Sequence, residues 1–96
     1  MAESALQAKA IKLLKARGAA VVNMHGSVFA TRGTPDLIGC LNGRSFAIEI
    51  KLPGEHPSPI QRLKLVEWYE SEAVVFVAHS LSDVENLIEK IVRGGA

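Results

Sequence analysis

The sequence predicts an α/β protein in the element order α-β-β-β-α-β-α, with a mixed central sheet flanked by helices. Segments whose apolar residues recur at helical spacing alternate with short β-branched runs. The dipeptide Asn42-Gly43 between two such runs predicts a two-residue hairpin, so these strands are antiparallel. A helical segment then separates the third strand from the fourth, which favours a parallel crossover. The length of 96 residues suits one domain, 1–96.

The N-terminal part of the chain predicts one helix and one strand. A helix over residues 3–17 is indicated by apolar residues that share one side at helical spacing, and Gly18 ends it. These apolar residues are Leu6, Ala10, Leu13 and Leu14. Residues 19–24 form a short apolar strand, and residues 25–34 form an exposed connection that contains glycine, serine and threonine.

The second and third strands are predicted over residues 35–41 and 44–52, with apolar residues on both faces, as in a sheet covered by helices on both sides. The second helix begins at Ser58-Pro59, because Ser suits the N-cap and Pro the first helical position, and it ends near residue 71. The apolar run 73–78 predicts a strand buried on both faces. A last helix starts at residue 80 or 82 and ends near residue 93.

Composition indicates an ordinary soluble globular protein, with 48% hydrophobic and 22% charged residues and a net charge of +1. The apolar stretches are too short to span a bilayer and the N-terminus lacks a secretory pattern, so we expect a cytoplasmic protein. Cys40 is the single cysteine, which excludes a disulfide framework and a thiolate zinc site. We expect it to be a small buried thiol in the second strand.

The hairpin register brings together the residues that carry the chemistry. Pairing Leu41 with Arg44 across the turn places Asp36 opposite Glu49, with β-carbons about 4.5–5.5 Å apart. Lys51 lies two residues beyond Glu49 and points to the same face. Two neighbouring carboxylates repel each other unless a positive charge lies between them, so this arrangement predicts a divalent cation.

The chemistry that fits this cluster is phosphodiester hydrolysis. Mg²⁺ prefers six oxygen ligands, and Asp36, Glu49 and the backbone carbonyl of Ile50 would supply three. The ion would polarise the phosphate and activate a water, while Lys51 orients that water or offsets transition-state charge. The simpler alternative is that Lys51 and Glu49 form an ion pair on an exposed strand, worth less than about 1 kcal/mol.

Further polar residues have open interpretations. Glu3 and Gln7 fall on the inward side of the first helix, where Glu3 is either a further metal ligand or an acid favoured by the helix dipole. Gln61 has capping-box spacing from Ser58, and it could equally point at the phosphate or the water, with Lys64 one turn further on for the DNA backbone. Arg32 could also contact phosphate.

The three histidines show no ligand-like spacing, so we expect each of them to be structural or solvated. They are His25, His56 and His79.

Taken together, these motifs resemble the VRR-Nuc family of the PD-(D/E)xK nuclease superfamily. The motifs are GTPDLIG at residues 33–39, AIEIK at residues 47–51 and SPIQ at residues 58–61. The start of the first helix and the strand-to-helix step at residues 74–80 are similar as well, so the likeness covers nearly the whole chain.

This resemblance implies a restriction-endonuclease-like core that cleaves DNA with Mg²⁺ or Mn²⁺. It implies that Asp36, Glu49 and Lys51 are catalytic, supported by Glu3 and Gln61, with Gln7 as a further contact near the DNA. It also implies a stand-alone phage or bacterial homodimer that acts on structured DNA such as four-way junctions in recombination, repair or replication. The contrasting hypothesis is a non-catalytic DNA-binding or interaction module with the same fold.

Overall fold

The computed structural model describes residues 2–28 and 30–94, and it has the element order predicted from the sequence. The helices and strands are α1 (Glu3–Ala16), β1 (Ala20–Asn23), β2 (Leu37–Leu41), β3 (Arg44–Ile50), α2 (Pro59–Glu70), β4 (Val74–Ala78) and α3 (Leu81–Gly94). Each predicted element is therefore present, with boundaries that differ by one or two residues at most of the ends.

The sheet has the strand order β1-β2-β3-β4, in which β1, β2 and β3 are antiparallel and β4 runs parallel to β3. Leu41 pairs with Arg44, which confirms the predicted hairpin register. Asn42 and Gly43 have φ angles of 51° and 78°. Positive φ at both central residues is the geometry of the type I′ turn that matches the twist of antiparallel strands.

One face of the sheet packs against α1 and α3 and forms the hydrophobic core. Alternate residues of the strands point to this face, because successive side chains of a strand point to opposite sides. The core is built from Leu37, Leu41, Phe46, Ile48, Ile50, Val74 and Ala78 of the sheet with Leu6, Ala10, Leu14, Val84, Leu87, Ile88 and Ile91 of the helices. This packing determines where the N-terminus of α1 lies relative to the ends of β2 and β3.

The opposite face is covered unevenly. Ala47 and Glu49 of β3 are buried, whereas Cys40 of β2 is exposed, so the predicted buried thiol is wrong. The second helix, α2, packs against β4 and leaves the outer part of β2 open. The prediction that residues 73–78 are buried on both faces is also wrong in its middle part, since β4 is an edge strand whose central residues are half-buried.

Among the helices of the described ranges, none combines the length and the apolar character needed to cross a bilayer.

Candidate active site

Asp36 and Glu49 lie side by side at the end of the hairpin. The β2–β3 ladder extends to the pair Leu37 and Ile48, and the next step of the same register brings Asp36 beside Glu49. Asp36 is 5% exposed and Glu49 is 1% exposed. The Asp36 Oδ2 atom accepts a hydrogen bond of 2.8 Å from the backbone N–H of Ile50, which holds this carboxylate against the third strand.

The two carboxylates place Glu49 in an unfavourable electrostatic environment. The pKa of Glu49 is raised from 4.5 to about 8, first by burial and then by the neighbouring Asp36, while Lys51 opposes the rise. The Glu49 Oε1 atom is buried and has no hydrogen-bond partner within the described part of the chain. A buried acceptor without a donor costs about 1–3 kcal/mol, so this arrangement lowers the stability of the fold.

Lys51 is enclosed together with Glu49. Its Nζ atom lies 3.7 Å from Glu49 Oε2, and the two side chains are 16% and 1% exposed. The ion pair of the simpler alternative is therefore present, but it is enclosed rather than exposed.

Two further residues reach the pair from other elements. Glu3 in the first turn of α1 and His25 after β1 each bring one potential ligand atom to Asp36, and the three atoms lie within 4.8 Å of one another. His25 Nδ1 is 2.9 Å from Asp36 Oδ1. The Glu3 carboxylate also contributes to the raised pKa of Glu49. The α1 N-terminus thus contributes directly to the site.

His25 is exposed, as a solvated histidine would be, but it also lies beside Asp36, a placement not predicted from the sequence. Asn23 pairs with Leu37, and the Met24 N–H donates to the Asp36 carbonyl over 2.7 Å, so His25 follows directly beside Asp36. The β1–β2 register is the signal that would have found it. This register could not be predicted, because the two strands are joined by a long connection rather than by a two-residue turn.

The donor set fits a divalent cation. Carboxylate oxygens are the ligands that Mg²⁺ and Mn²⁺ prefer. Asp36 and Glu3 bring such oxygens to one point together with His25, and the Glu49 carboxyl interacts electrostatically with both of these acids. A cation at this point would relieve the repulsion between the carboxylates and would give Glu49 Oε1 the partner that it lacks. These residues could therefore hold the ion, and Ile50 is positioned by the same hydrogen bond that orients Asp36.

Gln61 closes the start of α2. Its Oε1 atom accepts a hydrogen bond of 2.8 Å from the Ser58 N–H, and its own N–H donates to Ser58 Oγ over 3.3 Å. The capping-box interpretation is therefore confirmed. The cap uses Gln61 Oε1 and the backbone N–H of Gln61, not the Nε2 amide. The Nε2 amide could therefore donate to a phosphate while the cap stays in place.

The predicted nucleic-acid contacts differ in accessibility. Arg32 is exposed, and in the described residues it has no ion-pair partner. The next residue, Gly33, has its Cα so close to Ile60 that an added Cβ would lie 2.9 Å from it, so this connection is held against the start of α2. Lys64 lies 3.4 Å from Glu67 on the same helix. Arg32 and Lys64 therefore lie on or next to the N-terminal half of α2.

Gln7 lies in the interior rather than on the surface. It is 3% exposed, and its Nε2 atom is buried without a hydrogen-bond partner in the described residues. A direct contact between Gln7 and DNA would require the side chain to leave the interior, so its burial argues against the predicted contact. Its position one turn after Glu3 faces inward because Leu6 and Ala10 pack on the core side.

Similarity to known proteins was found at the level of structure. One solved structure, described as a VRR_NUC domain, shares 30% sequence identity and superposes with a TM-score of 0.77, covering 91% of this chain and 94% of that chain. A second, described as a VRR_NUC domain protein, shares 18% identity with a TM-score of 0.78 and covers 97% of this chain and 89% of that chain. A scan against protein-family models gives no match. A search of curated proteins gives no match either.

Proposed function

Because this chain belongs to the VRR_NUC family, we propose that it is a metal-dependent endonuclease that hydrolyses phosphodiester bonds of DNA. The observation that carries the proposal is the enclosed pair of Asp36 and Glu49 with Lys51 beside it. A pair of buried carboxylates in which one oxygen, Glu49 Oε1, lacks a hydrogen-bond partner is costly in a purely structural role. Perturbed pKa values of this origin cluster at functional sites.

Mg²⁺ or Mn²⁺ would be held by Asp36, Glu49 and the backbone carbonyl of Ile50, with Glu3 as a further ligand. When bound, the ion supplies charge neutralisation at the scissile phosphate and an activated water. The raised pKa of Glu49 shows how strongly this carboxyl needs a nearby positive charge in order to ionise.

Lys51 acts as the positively charged donor at the reacting phosphate. Its ammonium group already borders Glu49, so it can stabilise developing negative charge without a large movement. Gln61 presents its Nε2 amide from a side chain that the helix cap keeps in place. Arg32 and Lys64 bind backbone phosphates, since an exposed guanidinium and a helix-borne ammonium position nucleic acid without reading its sequence.

Structured DNA such as a four-way junction is the proposed substrate, and a homodimer is the proposed form. Leu63, Val66 and Tyr69 of α2 are 59%, 49% and 70% exposed, and they lie on successive turns of the helix. An exposed apolar patch of this kind suits a second copy of the chain. Two sites in one dimer can cut two strands of a junction, in phage or bacterial recombination, repair or replication in the cytoplasm.

Nicking of branched DNA tests the proposal. Wild-type protein should cut a four-way junction in the presence of Mg²⁺ or Mn²⁺, whereas Lys51→Ala should lower the rate at least about hundredfold, as is typical for loss of a transition-state donor. Lys90→Ala is a matched control on α3, distant from the site in the chain. Parallel assays of flap, nicked and linear DNA give the preferred structure.

The contrasting hypothesis is a DNA-binding module without activity. It is favoured if the wild type binds branched DNA but leaves it uncut with either ion. The proposal is likewise refuted if Lys51→Ala cuts as fast as the wild type.

A further inference from the structure

We propose that His25 is a ligand of the divalent cation through its Nδ1 atom, and that it makes the site bind Mn²⁺ in preference to Mg²⁺. This inference rests on the proposed metal-dependent function and names a residue from the connection between β1 and β2. The role is distinct from the carboxylate set, because His25 adds a nitrogen ligand to a site otherwise made of oxygen atoms.

The separation of the ligand atoms supports this role. In an octahedral site with bonds of about 2.1 Å, neighbouring ligand atoms are about 3.0 Å apart and opposite ones about 4.2 Å apart. His25 Nδ1 and Asp36 Oδ1 form a hydrogen bond of 2.9 Å, a separation that two neighbouring ligands of one ion would also have once the ion replaces the shared proton. With Glu3, the group spans no more than 4.8 Å, which one ion can bridge after a small adjustment.

The backbone that leads into His25 is held by two hydrogen bonds, which place the ring beside Asp36. The Met24 N–H donates to the Asp36 carbonyl over 2.7 Å, and the His25 N–H donates to Asn23 Oδ1 over 3.0 Å. The first bond extends the β1–β2 ladder and the second closes a local turn. A ligand on a backbone held in this way loses little conformational entropy on binding.

The ring also has the access that a ligand needs. The His25 side chain is 54% exposed while the Asp36 side chain is 7% exposed, so the imidazole lies between solvent and the buried carboxylates. Its second nitrogen is free to bond water, which is the usual partner of a metal-bound histidine in the absence of a carboxylate or carbonyl. His25 therefore forms the outer wall of the cation site.

Ion preference follows from the chemistry of the added ligand. Mg²⁺ is a hard cation that takes oxygen ligands, whereas the first-row transition ions, including Mn²⁺, accept imidazole nitrogen. Loss of one such ligand should therefore weaken Mn²⁺ binding at least about tenfold, the lower end of the effect of changing a supporting group at metal sites. Mg²⁺ binding should change by less than about threefold, because the oxygen ligands remain.

Electron paramagnetic resonance of Mn²⁺, measured on the full chain without DNA, tests the inference. We expect His25→Ala to weaken Mn²⁺ binding at least about tenfold, with Mg²⁺ affinity, measured by competition, nearly unchanged. His56→Ala is the matched control, since His56 is exposed in the loop before α2 and should bind both ions as the wild type does. Pulsed measurements on the wild type should show nitrogen coupling to Mn²⁺. This test does not depend on whether any variant folds.

Two results would overturn the inference while leaving the proposed function intact. One is unchanged Mn²⁺ affinity in His25→Ala together with lost affinity in Asp36→Asn. The other is Mn²⁺ bound to the wild type without nitrogen coupling. Failure of the wild type to bind either ion would instead refute the metal-dependent function itself, and the inference with it.

Discussion

Replacing Glu49 by Gln should remove most of the pH dependence of stability that the metal-free protein shows between about pH 5 and about pH 8. The pKa of Glu49 is raised from 4.5 to about 8 by burial and by Asp36. In the unfolded chain this carboxyl is ionised at pH values above its ordinary pKa, whereas in the folded chain it stays protonated up to about pH 8. The folded state therefore holds one proton more than the unfolded state across this window.

This extra proton in the folded state determines whether stability rises or falls with pH. The stabilising contribution of the protonated Glu49 is fully present below the unfolded pKa of 4.5 and is lost as pH rises through the folded pKa of about 8. Each pH unit inside the window lowers the free energy of unfolding by at most about 1.4 kcal/mol. Between about pH 5.5 and about pH 7.5 the wild type should lose about 3 kcal/mol, which is a large part of the stability of a small domain.

Urea unfolding with a chelator, followed by circular dichroism at several pH values, measures this loss. Glu49→Gln keeps the side-chain shape without the charge, so its unfolding free energy should change much less over the same range. Glu70→Gln at the exposed end of α2 is the control and should follow the wild type. Parallel pH profiles of the wild type and Glu49→Gln would refute the reasoning, since Glu49 would then ionise in the folded chain as it does in the unfolded one.

Four further substitutions test the fold and the assembly. In thermal unfolding, Gly39→Ala should destabilise the protein by more than about 3 kcal/mol, or prevent folding, because the added Cβ would collide with the carbonyl oxygen of Ala20. Gly43→Ala has open space around it and should cost only about 1 kcal/mol, because of its positive φ. Ser58→Ala should lower stability by about 1 kcal/mol in urea unfolding, because it removes the acceptor of the α2 cap, and an unchanged midpoint would contradict the cap assignment. Leu63→Glu should shift the wild-type dimer toward monomer in sedimentation equilibrium, and a wild type that is monomeric at all concentrations would contradict the proposed interface.

The hairpin could be predicted from the sequence because its register is local. Asn42 and Gly43 adopt positive φ at little cost, and a two-residue turn fixes every pair of the strands that it joins. The proximity of Asp36 and Glu49 follows from this register and from the alternation of side chains. The helix cap at Ser58 is equally local, since donor and acceptor are three residues apart.

Tertiary structure alone decided the rest of the site. His25 reaches Asp36 through the pairing of β1 with β2, whose register depends on packing of the whole sheet rather than on a short turn. Glu3 arrives because α1 packs on the core face, and Gln7 is drawn inside by the same packing. Cys40 remains exposed because the covering of a sheet face depends on where a distant helix lies. Local chemistry thus determined the carboxylate pair, and long-range packing determined what surrounds it, since contacts between distant segments leave no fixed spacing in the sequence.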